Sequence, residues 1–533
     1  MLRLLLLPFL FCRAARVPNS PFPIAARGLN ASALLHVVYT DGLSSADAFT
    51  LQALQGVANK NAPTLARVSR GAELWLNTTR DVWSVALDFS VGTLPALISL
   101  FKSGLTGYVL CSLLDNSTNA ALAAAAALNV LVVTPENVAL ATAAQLPLLY
   151  DVRGRNAAWA IDTFNGTAGF AFSRSVTTLQ LPSESECCMA DYSVAMGVLQ
   201  WWPDGDNVTN PVGQRVWGSM SPPFAALGWG PDELGTVATV SAYGGGVAAS
   251  NWASNLDVYS NFDLPLLSPP PAPPAPAAAA APVHTVCFLM SDGDNVQFLL
   301  DGFATDARWW GSPARGSVPM GWTLSAPTAD LCPVVPAYLY ATARADGFVA
   351  GVSGAGYMYP DEVLASQRAG AAALDALTAL SAGFMAKAGL RVVNVLARGN
   401  DVPAQAAESY LRHEGVDAVI WYPYSDYSGL RGSITWANGK PVIGGRFNLW
   451  GDGTNPKGPT FFNVTGLADA LLRMPRDPAQ PEGYSLVPLH AWSHTVADAA
   501  QVMALVEAAA PGVVQAVTPA EFVARIVANV HRG

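Results

Sequence analysis

Basic residues are scarce in this chain: 29 Lys and Arg stand against 39 Asp and Glu in 533 residues, a net charge of −10. That balance offers no cationic surface to a polyanion, so no nucleic-acid partner is expected. Cysteine and histidine are also rare, at six each, and no Cys-x-x-Cys pair occurs, which argues against a zinc cage on that spacing. Past the first residues, apolar stretches are broken by Asn, Pro or charge before they reach the ~20 residues of a bilayer span. No membrane span is expected once the leader is removed. Cys12 would leave with that leader. Cys111, Cys187, Cys188, Cys287 and Cys332 then remain, too few for a disulfide framework but enough for one or two bridges with one thiol left over.

What the chain does have begins with Met1-Leu2-Arg3 and the short apolar core Leu4 to Cys12. A charged start before a short apolar core predicts a secretory signal peptide over residues 1–15. Six N-glycosylation sequons follow, at Asn30, Asn77, Asn116, Asn165, Asn207 and Asn463. Together they predict a secreted glycoprotein, extracellular or in the lumen of the secretory pathway.

Strand and helix patterns alternate along the rest. Leu34–Tyr39, Gly107–Cys111 and Val130–Val133 read as strands, with helices at Ser45 to Asn59 and Ala120 to Leu128. This predicts a smaller α/β domain over residues 30–190. A Pro/Ala-rich stretch at 268–282 reads as a stiff solvated loop inside the following domain, residues 191–533. There, apolar strands are expected at Thr285–Met290, Phe348–Val352, Val392–Ala397, Ala418–Tyr422, Val442–Gly445, Leu486–Leu489 and Val513–Val517. The last helix starts at Thr518-Pro519-Ala520-Glu521, a capping-box pattern. The rhythm predicts a (β/α) barrel-like domain of about seven strands, with an open sheet as the alternative.

Polar residues follow these strands, and in a parallel barrel such ends converge on one rim. Asp292 and Asp294 are the candidate catalytic pair, as acid and base, as metal ligands, or with Asp292 merely capping a turn. Because side chains alternate in so short a turn, a second carboxylate is sought elsewhere, among Asp361, Glu362, Asp426 and Asp452. Arg398, Asn400, Asp426 and His490 are expected to line the rim. His490 and His494 stand four apart, a metal-ligand spacing on a helix, although His490 ends a strand. Gly351-Val352-Ser353-Gly354-Ala355 approaches the G-x-S-x-G nucleophile elbow, but Pro360 opposes the helix that elbow requires directly after the serine. Eleven Trp and Tyr residues cluster near these ends, Trp309, Trp310, Trp322, Trp421, Trp450 and Trp492 among them. Flat rings beside hydrogen-bonding side chains are what a sugar face needs.

One segment stands out. Phe348 to Gly351 is an apolar run that opens into Gly354-Ala355-Gly356-Tyr357-Met358-Tyr359-Pro360. This segment resembles the signature of the GxGYxYP glycoside hydrolase family. Ser291-Asp292-Gly293-Asp294-Asn295 with Gln297 is similar to its other signature. Arg315-Gly316, Gly321-Trp322-Thr323 and Leu51 to Gly56 fall in the expected order. The resemblance implies an oligo- or polysaccharide substrate, with Asp292 and Asp294 catalytic and Asn295, Gln297, Trp322, Tyr357 and Tyr359 binding sugar beside the rim residues. It implies no cofactor. A divalent metal enters only under a deacetylase-like alternative, and a glycan-binding protein without catalysis is the other rival.

Overall fold

A computed structural model describes residues 16–25, 34–184, 187–205, 207–265, 282–451 and 458–532. The expected signal peptide, the Asn30 sequon, nearly all of the Pro/Ala-rich loop and Asp452 lie outside the described residues. None of the described helices is long and apolar enough to cross a membrane.

Three small parallel sheets come first. One holds β1 (Leu34–Tyr39), β2 (Leu65–Val68) and β3 (Ala86–Asp88), and the next β4 (Gly107–Leu110), β5 (Val130–Val133) and β6 (Leu148–Asp151). The third holds β7 (Val176–Leu179), β8 (Leu199–Trp201), β9 (Phe224–Leu227) and β10 (Gly245–Ala248), in the order β10-β9-β7-β8. β7 thus pairs with strands beyond residue 190, so a boundary at 190/191 would divide this sheet. Helix Ser45–Asn59 begins where Ser44 Oγ accepts the Asp47 N–H at 3.2 Å, satisfying one orphan donor of the first turn.

The C-terminal sheet is the largest. It contains β11 (His284–Met290), β12 (Met320–Ser325), β13 (Asp346–Gly351), β14 (Val392–Ala397), β15 (Ala418–Pro423), β16 (Ile434–Ala437) and β17 (Lys440–Gly444). β18 (Asn448–Leu449), β19 (Phe461–Phe462), β20 (Tyr484–Leu489) and β21 (Val514–Ala516) complete it. Its order is β16-β17-β15-β14-β13-β12-β11-β20-β18-β19, with β21 on β11. Every pairing is parallel except β16 with β17. Strands such as β11, buried along their whole length, read as continuous apolar runs because helices cover parallel sheets. The sheet curls strongly: Arg446, just past β17, donates its backbone N–H to Leu486 of β20 at 2.9 Å.

The α/β class is as expected, and the C-terminal sheet curls as a half-barrel, with eleven strands where about seven were expected. β12 was not anticipated, since Met-Gly-Trp-Thr-Leu-Ser lacks an unbroken apolar core. β21, anticipated as a sheet strand, touches only the start of β11.

Candidate active site

The turn after β11 creates the site. Asp292 adopts a left-handed backbone, φ 65°, which Asp tolerates better than most residues. The chain then folds onto β12: Gly293 N–H donates to Thr323 Oγ1 at 2.9 Å and Ser325 N–H to the Gly293 carbonyl at 2.7 Å. A Cβ at Gly293 would overlap the Thr323 carbonyl oxygen, so glycine is required there. The left-handed residue also undoes the expected alternation. Asp292 and Asp294 both line one cavity of about 340 Å³.

That cavity lies at the carboxyl ends of the parallel strands, against Leu289, Thr323, Asn394, Leu396, Tyr422 and Pro488. Its opposite wall comes from the third small sheet's region: Trp229, Gly230, Pro231, Asp232 and Glu233. Glu233 opens the helix Glu233–Ala242, whose N-cap Asp232 accepts the Gly235 N–H at 2.5 Å. Glu233 was not among the anticipated carboxylates. Asp-Glu before an apolar run reads only as a helix start, and no local signal sets it apart.

The GxGYxYP segment joins the two walls. Tyr357 exchanges backbone hydrogen bonds with Val247 of β10, at 2.7 and 2.9 Å. Gly356, at φ 145°, packs against Gly246 so closely that a Cβ would lie 3.0 Å from the Gly246 carbonyl carbon. The Tyr357 hydroxyl then donates to Glu233 Oε1 at 3.0 Å and lies 3.3 Å from the Tyr359 hydroxyl. Tyr359 is fully buried and supports Tyr357 from behind.

Electrostatics separate the carboxyls. Burial pushes Asp294 up to about 8, with the nearby Asp292 and Glu233 charges adding to it, while its own backbone N–H opposes. Burial also raises Asp292, against hydrogen bonds from Ser291 Oγ and from Trp492 Nε1 at 2.9 Å. Glu233 is raised overall, by burial first and by the Asp292 and Asp232 charges, with the Tyr357 hydroxyl opposing.

The other anticipated residues are placed as follows. Asn295 lines the cavity. Gln297 does not; its Oε1 accepts the Trp252 N–H at 3.2 Å, tying the two walls together. Trp322 is buried in the core and donates to Asp346 Oδ1 at 2.8 Å, away from the cavity. Arg398 and Asn400 are exposed; the backbone N–H groups of Arg398 and Gly399 cap Asp361, and Asn400 accepts from Ser425 Oγ at 3.3 Å. Asp426 organises its own loop through Ser428 and Asn448. His490 stacks on Trp450, ring centres 3.8 Å apart, and contacts Ser493 Oγ at 2.7 Å. His494 turns instead to the Gly451 carbonyl and Asp498. Among the described residues no three His, Cys, Asp or Glu side chains converge as a metal site. The Ser353 hydroxyl is fully buried and donates to the Met358 carbonyl at 2.7 Å, so it is no exposed nucleophile.

Comparison with known proteins follows the same lines. Residues 282–527 match the GxGYxYP putative glycoside hydrolase C-terminal domain. Residues 105–167 match the GxGYxYP_N second domain, and 174–261 the GxGYxYP third domain. A solved structure described as a putative hydrolase from Bacteroides thetaiotaomicron is similar at 22% identity, with a TM-score of 0.84 over 97% of this chain and 98% of that chain. At that identity the likeness establishes the fold. No curated protein matches the chain. Three successive matches to one family cover most of the sequence, and the segment that gives the family its name is the seam of the cavity: this chain belongs to the GxGYxYP family.

Proposed function

We propose that the protein is a secreted glycoside hydrolase working by carboxylate acid/base chemistry in this cavity. The observation that carries the reading is the convergence of Asp292, Asp294 and Glu233, drawn from two distant parts of the chain, among Trp229, Tyr357 and Trp492. Glycosidic cleavage needs one carboxyl that keeps its proton and another that gives it up. Asp294 suits the first role, because burial keeps it protonated at neutral pH; it hands that proton to the departing sugar oxygen. Glu233 is taken for the second: burial raises its carboxyl, but the Tyr357 hydroxyl donates to it and opposes that rise, a contact Asp294 lacks. Asp292, held by Ser291 and Trp492, binds sugar hydroxyls and discourages ionisation of Asp294. The aromatic walls give the sugar ring its flat contact.

Release of reducing ends from a panel of glycans tests this. Turnover by the wild-type protein that disappears in Asp294→Asn supports it. Glycan binding with no turnover by the wild-type protein contradicts it and favours a lectin-like role.

A further inference from the structure

The charge of the cavity restricts what can enter it. Asp232, Glu233, Asp292 and Asp294 all line it, and among the described residues no Lys, Arg or His does. Arg398 acts on Tyr359 and Tyr424 from the exposed rim without reaching the lining. An acidic group brought in would therefore sit among carboxyl groups in a half-open cavity, with no lining cation to pair it.

A second observation marks a ligand at the floor. Asn394 Nδ2 and the Tyr422 hydroxyl are buried, each residue 3% exposed, and neither atom has a hydrogen-bond partner among the described residues. Asn394 lies on β14 and Tyr422 on the adjacent β15; Asn394 pairs with Ile420 and Leu396 with Tyr422, so Asn394 and Tyr422 stand diagonally, one same-face position apart, and both line the cavity. Buried donors in native folds are nearly always satisfied, and both residues belong to the cavity lining. They are neutral donors suited to sugar hydroxyl or ring oxygens. Tyr422 is held rigid by stacking on Tyr427, ring centres 5.0 Å apart at 10°.

We propose that the sugar unit seated in this cavity carries no acidic group, its oxygens accepting hydrogen bonds from Asn394 Nδ2 and the Tyr422 hydroxyl. Uncharged sugars fit, and a free amine is tolerated by the surrounding carboxylates; uronates, sialic acids and sulfated sugars are rejected. This rests on the carbohydrate reading of the cavity.

The test measures binding of methyl glycosides by ligand-observed NMR with the full-length protein. Gluco, galacto and manno series are compared, each as neutral sugar, amine and uronate. In whichever series binds, the uronate is expected to be weaker than the neutral sugar by at least about tenfold. Tyr422→Phe, which keeps the stacked ring, and Asn394→Ala are each expected to weaken the neutral ligand about fivefold or more. A uronate that binds as well as its neutral counterpart overturns the charge selection while leaving the carbohydrate reading standing. Unchanged affinity in both variants overturns the assignment of the floor. If no member of any series binds, the carbohydrate reading falls and this inference with it.

Discussion

The Tyr357 hydroxyl donates to Glu233 Oε1 at 3.0 Å across 124 residues of sequence. That bond links the family's signature segment to a carboxylate on the opposite wall. Because it favours ionised Glu233, Tyr357→Phe should raise the Glu233 pKa. Activity that needs the carboxylate then appears at higher pH. The acidic limb of kcat/KM is expected to move upward by about one pH unit, the effect of one hydrogen bond to a charged group. An unmoved limb in a folded variant would sever the link.

Asp294, as the proposed acid, should set the other limb. Its acid form persists up to about 8, so turnover should fall as pH rises through that value. Asp294→Asn is expected to lower kcat by about 10²–10⁴-fold, the usual contribution of a positioned acid. Stability should fall over the same rise in pH. The folded pKa lies above the ordinary 3.8, so the stability this carboxyl contributes is full below about 4 and is lost as pH rises to about 8. The melting temperature of Asp294→Asn relative to wild type should therefore increase between those pH values.

Gly293→Ala tests the turn itself. With no space for a Cβ against Thr323, the Asp292–Asp294 segment must shift. Activity should fall by about 10²-fold, as expected for a displacement near 1 Å, while the circular dichroism of the helices is retained. Wild-type activity would mean that the turn geometry is not needed.

Trp322 acts elsewhere. Its indole and Arg315 both bond to buried Asp346, at 2.8 Å each. Asp346→Ala leaves buried Arg315 without its carboxylate, with only backbone carbonyls to bond, and should cost about 3–5 kcal/mol in denaturant unfolding. Sugar affinity should be retained wherever the variant remains folded.

Much of the scaffold was legible from local pattern. Helices Ser45–Asn59 and Pro519–Asn529 carry their own caps, and strands such as Val130–Val133 and Val392–Ala397 are short apolar runs between turn residues. Asp292, Asp294, Asn295 and Tyr357 were reachable because strand ends of a parallel sheet share a rim. Glu233 and Trp229 were not, since they come from another sheet and meet the rim through long-range contacts such as the β10–Tyr357 pairing. Asn394 was hidden for a different reason. Inside an apolar strand, one Asn looks like a tolerated core residue until its inner-face position is known. Trp322 shows the converse error, for proximity to a strand end does not fix which face a ring occupies.

Glu233 offers the most direct test of the proposed chemistry. Single-turnover hydrolysis of a glycan bound by the wild-type protein, repeated with Glu233→Gln, separates binding from chemistry. The prediction is an unchanged Kd with a rate lowered by about 10²–10⁴-fold. Equal rates in the two proteins would contradict it, showing that the carboxylate facing Tyr357 takes no part in breaking the bond.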